Sequence, residues 1–136
     1  MKKVLTFGVF DYFHLGHLRL FEQCLCYGDY LIVGIQNDEY ILTNKPEAQV
    51  LYNVNERVEL VSSLKIVNEV VRYDYLDPKV LETICFDVLA LGEDHKGLRF
   101  DQLVDWCNTH NKEVVRMKRT TGISSTDIKK RIARDI

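Results

Sequence analysis

The 136-residue chain lacks the marks of several protein classes. No stretch approaches the ~20 consecutive apolar residues of a membrane-spanning helix, so no membrane insertion is expected. The formal net charge is only −2, so no long-range field pulls the chain toward nucleic acid, and any anion site must be local. Of the four cysteines, Cys24, Cys26, Cys85 and Cys107, no two stand in a C-x-x-C spacing. That argues against a disulfide frame or a zinc site. Three lie in apolar-patterned segments, which predicts buried free thiols. No repeat or low-complexity tract appears, and no signal-peptide pattern precedes the first apolar run. The expectation is a single cytoplasmic domain over residues 1–136.

What is present is ordinary for a globular chain, 46% apolar and 28% charged, and long enough to bury its own core. Short apolar runs of strand length alternate with stretches of helical periodicity. Met1 to Phe7, Asp29 to Ile35, Val67 to Val71, Phe86 to Leu91 and Glu113 to Met117 read as strands. Helices are expected after His17 up to Gly28 as a C′ residue, over 54–64, 78–85 and 98–110, and from Ser124 to Ala133. Strand–helix–strand alternation implies parallel pairing through right-handed crossovers. The fold class is α/β, a Rossmann-like doubly wound five-stranded parallel sheet with helices on both faces.

Ligands of such sheets gather at the carboxyl ends of the strands. The residues there are informative. After the first strand comes Gly8-Val-Phe-Asp-Tyr-Phe-His-Leu-Gly-His17, a glycine turn leading into a helix. Unpaired N–H groups and the positive end of a helix dipole at such a place attract phosphate. Gly8 suits a positive φ or a close approach, and Gly16 leaves room over the first helical turn. His14 and His17, at i and i+3, share one face and can donate to phosphoryl oxygens. On the residues alone, surface histidines or half of a metal site are the alternatives.

This stretch resembles the H-x-G-H signature of nucleotidyltransferases that join a nucleoside triphosphate to a phosphate monoester. A second stretch, Arg119-Thr-Thr-Gly-Ile-Ser-Ser-Thr-Asp-Ile128, is similar to the R-T-x-G-I-S-[ST]-[ST] signature of the cytidylyltransferase branch. The resemblance covers nearly the whole chain and is greatest to the small bacterial glycerol-3-phosphate cytidylyltransferases. It implies transfer of CMP from CTP to a phosphorylated alcohol or polyol, releasing pyrophosphate. An adenylyltransferase of the same fold using ATP, or a non-catalytic nucleotide-binding regulator, is the alternative.

By that resemblance His14, His17, Arg119 and Lys45 are catalytic. Gly8, Val9, Phe10, Asp11, Gly16, Asp94, Thr120, Gly122, Ile123, Ser124, Ser125 and Thr126 bind the nucleotide. Asp38 and Arg57 lie toward the acceptor phosphate. Mg²⁺ is implied as the partner of the triphosphate, without a metal site made by protein ligands alone, and a homodimer is implied as the assembly. There are four departures from the family pattern: Val9 for threonine, Lys65-Ile-Val-Asn68 for Arg-Tyr-Val-Asp, His95 for tryptophan, and Thr121 for glutamate. The second departure raises the expectation of an altered acceptor.

Overall fold

The structure is a computed structural model that describes residues 1–39, 41, 50–118 and 125–135. In chain order it comprises β1 (Lys3–Gly8), α1 (Leu15–Cys24), β2 (Tyr30–Gln36), α2 (Val54–Ser62) and β3 (Glu69–Tyr73). There follow α3 (Pro78–Glu82), β4 (Val88–Gly92), α4 (Leu98–Thr109), β5 (Glu113–Met117) and α5 (Ser125–Asp135). The five strands form one parallel sheet in the order β3-β2-β1-β4-β5.

The chain moves outward from β1 to β3, then returns past β1 to build β4 and β5. Because parallel crossovers keep one hand, reversing the direction of travel moves the helices to the opposite face. Two cores result. One packs Phe21 and Cys24 of α1 and Val61 of α2 against Val4, Leu31, Val33, Ile35, Val88 and Ala90. The other packs Leu81 of α3 and Leu103 and Cys107 of α4 against Leu5, Phe7, Ile32, Leu89 and Leu91. The central strands are covered on both faces, which is why they read as continuous apolar runs. The edge strands keep charges, Glu69 and Arg72 in β3 and Glu113 and Arg116 in β5.

Several boundaries differ from the sequence expectation for local reasons. Helix α1 stops at Cys24, well short of Gly28, and Gly28 does not take a left-handed backbone. Its hydrogen side chain is needed for close approach: a Cβ there would stand 2.5 Å from the Lys2 carbonyl oxygen. The same oxygen accepts from the N–H groups of Asp29 and Tyr30 as the chain enters β2. Strand β3 runs 69–73 and not 67–71, because Asn68 binds Leu31 through its side-chain oxygen and its N–H and starts the ladder one step later. Helix α3 ends at Glu82, where the Thr83 hydroxyl donates back to the Val80 carbonyl. All four thiols are free. Cys24 and Cys107 are buried as expected, whereas Cys26 and Cys85 are exposed, each just past a helix end where the apolar pattern no longer faces a core.

Strand order reverses between β1 and β4, so their carboxyl ends, at Gly8 and Gly92, flank the switch point. Ligand crevices open at such points.

Candidate active site

The turn after β1 is held in an unusual backbone. Phe10 and Tyr12 both have positive φ, 57° and 49°, a region that side chains other than glycine seldom occupy. The turn at Phe10 folds its ring back over Gly8, where a Cβ would meet the ring at 2.7 Å. Close approach, and not a positive φ, is therefore what requires Gly8. The Phe10 ring is only 5% exposed and packs edge-on against Phe21 and His17, at 5.2 and 5.3 Å between centroids.

His14 is the N-cap of α1, and the two histidines make a reciprocal cap. The Gly16 N–H donates to His14 Nδ1 at 3.0 Å, and the His14 N–H donates to His17 Nδ1 at 3.2 Å. Each Nδ1 is thus an acceptor, which leaves Nε2 as the donor of each ring. The rings stack with centroids 3.8 Å apart and planes 23° from parallel. His17 also lies against Phe13. Burial, with a smaller contribution from His14, lowers the His17 pKa from 6.5 to about 3. His17 is therefore a neutral imidazole, and each ring, with its Nδ1 accepting from a backbone N–H, turns Nε2 outward as its donor. This revises the expectation of unpaired first-turn amides, since His14 takes up the Gly16 N–H and its carbonyl accepts the His17 N–H.

A second layer supports this turn. Asp11 is buried, and its two carboxylate oxygens accept the N–H groups of Leu51 and Tyr52 at 2.7 and 3.0 Å. Arg57, in the first turn and a half of α2, is fully buried. Its Nε donates to the Tyr52 carbonyl, its Nη1 to the carbonyls of Val9 and Gln36, and its Nη2 to Asp38. The other oxygen of Asp38 accepts the Val54 N–H, the first amide of α2. One guanidinium fork thereby ties the chain after β1, the chain after β2 and the start of α2 into a single unit.

The structure places the expected site residues as follows. Gly8, Val9, Phe10, Asp11, His14, Gly16 and His17 come together at the end of β1 and start of α1. Asp38 and Arg57 stand beside them, but their bonding is to protein: Arg57 offers four of its N–H donors to protein oxygens, and both Asp38 oxygens are engaged. Asp94 is exposed after β4, next to His95, whose Nδ1 accepts the Gly92 N–H and whose ring stacks on Phe100 at 4.8 Å. Burial lowers the His95 pKa, against the opposing effect of Asp94. Ser125 and Thr126 open α5. Lys45, Arg119, Thr120, Gly122, Ile123 and Ser124 lie outside the described residues, as does the departure at Thr121.

Sequence reasoning missed the depth of Arg57 and the part played by residues 51–54. A signal existed: Asn53-x-x-Glu56 is a capping-box spacing, and the box is formed. The Lys65–Asn68 departure also reads differently in three dimensions. Asn68 binds Leu31 near the beginning of β2, so the segment lies at the amino ends of the strands, the edge opposite the histidines.

A parallel α/β sheet whose switch point carries a helix-capping pair of imidazoles, each with Nε2 as its donor, defines a phosphate-handling nucleotide domain. The chain belongs to the cytidylyltransferase-like family, whose model matches residues 5–131. It is 38% identical to a glycerol-3-phosphate cytidylyltransferase of Bacillus spizizenii over 98% of each chain. The corresponding Staphylococcus aureus protein is 34% identical, with 97% of this chain and 96% of that one covered. Among solved structures, a lipopolysaccharide core biosynthesis protein of Thermoplasma volcanium superposes with a TM-score of 0.77 at 26% identity, covering 88% of this chain and 98% of that one. No helix among the described residues is long and apolar enough to cross a membrane.

Proposed function

We propose that this protein transfers CMP from CTP to a phosphorylated alcohol. An oxygen of the phosphate monoester attacks the α-phosphorus, the bond to the β-phosphate breaks, and pyrophosphate leaves with the electron pair. The attacking oxygen is already ionised, so the reaction needs in-line positioning and charge neutralisation more than a general base. The observation that carries the reading is the stacked His14–His17 pair, with Nε2 the donor of each ring at the N-terminus of α1. Nε2–H donors held in place by backbone N–H groups at Nδ1 need no reorganisation to meet the charge that grows on the α-phosphoryl oxygens.

The relatives' names favour an acceptor like glycerol 3-phosphate, and the position of Lys65–Asn68 on the far edge removes one reason to expect another. Arg119, Lys45 and the residues through Thr126 would grip the β- and γ-phosphates. Mg²⁺ would travel with the triphosphate and neutralise it. The described residues include no cluster of three potential ligands, and Asp11 and Asp38 are committed to backbone N–H groups and Arg57, so phosphate oxygens and water would supply its coordination. A cytoplasmic homodimer completes the reading.

The test is to supply the pure protein with CTP, Mg²⁺, pyrophosphatase and a panel of phosphorylated alcohols. Phosphate should be released with glycerol 3-phosphate or a close analogue. His14→Ala should lower kcat about 10²–10³-fold with its circular dichroism unchanged. No CTP binding, and no release across the panel, would reject the proposal.

A further inference from the structure

Helix α1 has His14 as its N-cap and His17 in its first turn and, about two turns further along, a side chain that reaches another part of the chain. Gln23 Nε2 donates to the Lys118 carbonyl at 3.0 Å, and the Lys118 N–H donates to Gln23 Oε1 at 3.1 Å. One amide thus pairs with both polar groups of a single backbone unit, as a neighbouring strand would. Lys118 is the residue after β5, and in sequence it leads directly into the Arg119–Thr126 motif. A second contact joins the same two regions from the other side of that motif. Lys129 of α5 lies over the Tyr12 ring, with its Nζ 5.0 Å from the centroid, and Tyr12 belongs to the left-handed turn before His14.

We infer that Gln23 is a positioning residue for the reaction, setting the exit of β5 against the helix that presents His14 and His17. The physical ground is its two-point grip. A single hydrogen bond leaves a backbone free to pivot about it, whereas two bonds to the N–H and C=O of one residue fix both distance and orientation. No ladder bond could do this work, because β5 ends at Met117 and has β4 on its other side. The inference rests on the proposed CTP reaction and extends it to a residue that touches no reacting atom.

The experiment compares wild type with Gln23→Leu, which keeps the stem and removes both bonds, and with Gln23→Glu, which keeps the acceptor alone. CTP dissociation constants by calorimetry and KM values for both substrates are measured, with melting temperatures alongside. Gln23→Leu should weaken CTP roughly tenfold, the effect of a net loss near that of one or two hydrogen bonds. Gln23→Glu should fall between it and wild type, and KM for the phosphate monoester should stay within about twofold. Unchanged CTP affinity in either folded variant would overturn the inference, as would equal loss for both substrates. If Gln23→Leu fails to fold, the Glu variant decides on the same criteria. A wild-type protein that binds no CTP would instead defeat the proposed function, which is a different result.

Discussion

Replacing Arg57 by methionine tests whether the guanidinium is a structural tie or a ligand contact. The side chain is wholly buried and donates to the Tyr52, Val9 and Gln36 carbonyls and to Asp38. Methionine fills much of the stem volume but leaves three carbonyls and one carboxylate without that donor. Asp38 is 40% exposed and regains water, so its loss is discounted to that of a surface pair, about 1 kcal/mol or less. The three carbonyls, at about 1 kcal/mol each, bring the total to roughly 4 kcal/mol. That lies within the 3–5 kcal/mol typical when one partner of a buried pair is removed. For a domain of this length it corresponds to a fall of about 14 °C in Tm. Urea denaturation of wild type, Arg57→Met and Arg57→Lys measures it. Lysine keeps the charge but cannot span the three directions of the fork, so it should recover less than half of the loss. A methionine variant within about 1 kcal/mol of wild type, yet poor in turnover, would refute the structural account and return Arg57 to the acceptor side.

Two further outcomes follow from the same packing. His17 resists protonation in the fold, with its pKa near 3, while the unfolded chain takes up that proton below about 6.5. The unfolded state then binds more protons between these values, so stability from this group is complete above pH 6.5 and is lost as pH falls toward 3. The slope reaches at most about 1.4 kcal/mol per pH unit. His17→Gln should flatten unfolding free energy against pH between 4 and 6, and an unaltered slope would disprove the assignment. In β2, a Cβ at Gly34 would stand 2.4 Å from the Phe7 ring, which is itself buried and set edge-on to Tyr73 at 5.1 Å. Gly34→Ala should therefore cost about 1–3 kcal/mol of overpacking, read as a lower denaturation midpoint, and an unmoved midpoint would show that the ring can shift freely.

The amino-acid sequence by itself determined the fold class. Short, β-branched apolar runs such as Leu31 to Ile35 read as strands covered on both faces, and strands alternating with helices leave a parallel sheet as the consistent outcome. It also brought His14 and His17 together, though the shared helical face expected from their i,i+3 spacing became a reciprocal cap, with His14 in extended backbone just before α1. What it left undecided depends on contacts between residues distant in the chain. The turn at Phe10 is left-handed because its ring finds room over Gly8 and against Phe21, and no local propensity would choose that backbone. The expected helix-surface or phosphate-side arginine at position 57 became a buried clamp because three separate segments brought carbonyl oxygens to one point. Gln23 carries no motif at all; only the arrival of β5 beside α1 gives its amide a partner. Periodicity records which side of an element faces the core, but which groups meet across the core is settled by the packing of the assembled sheet.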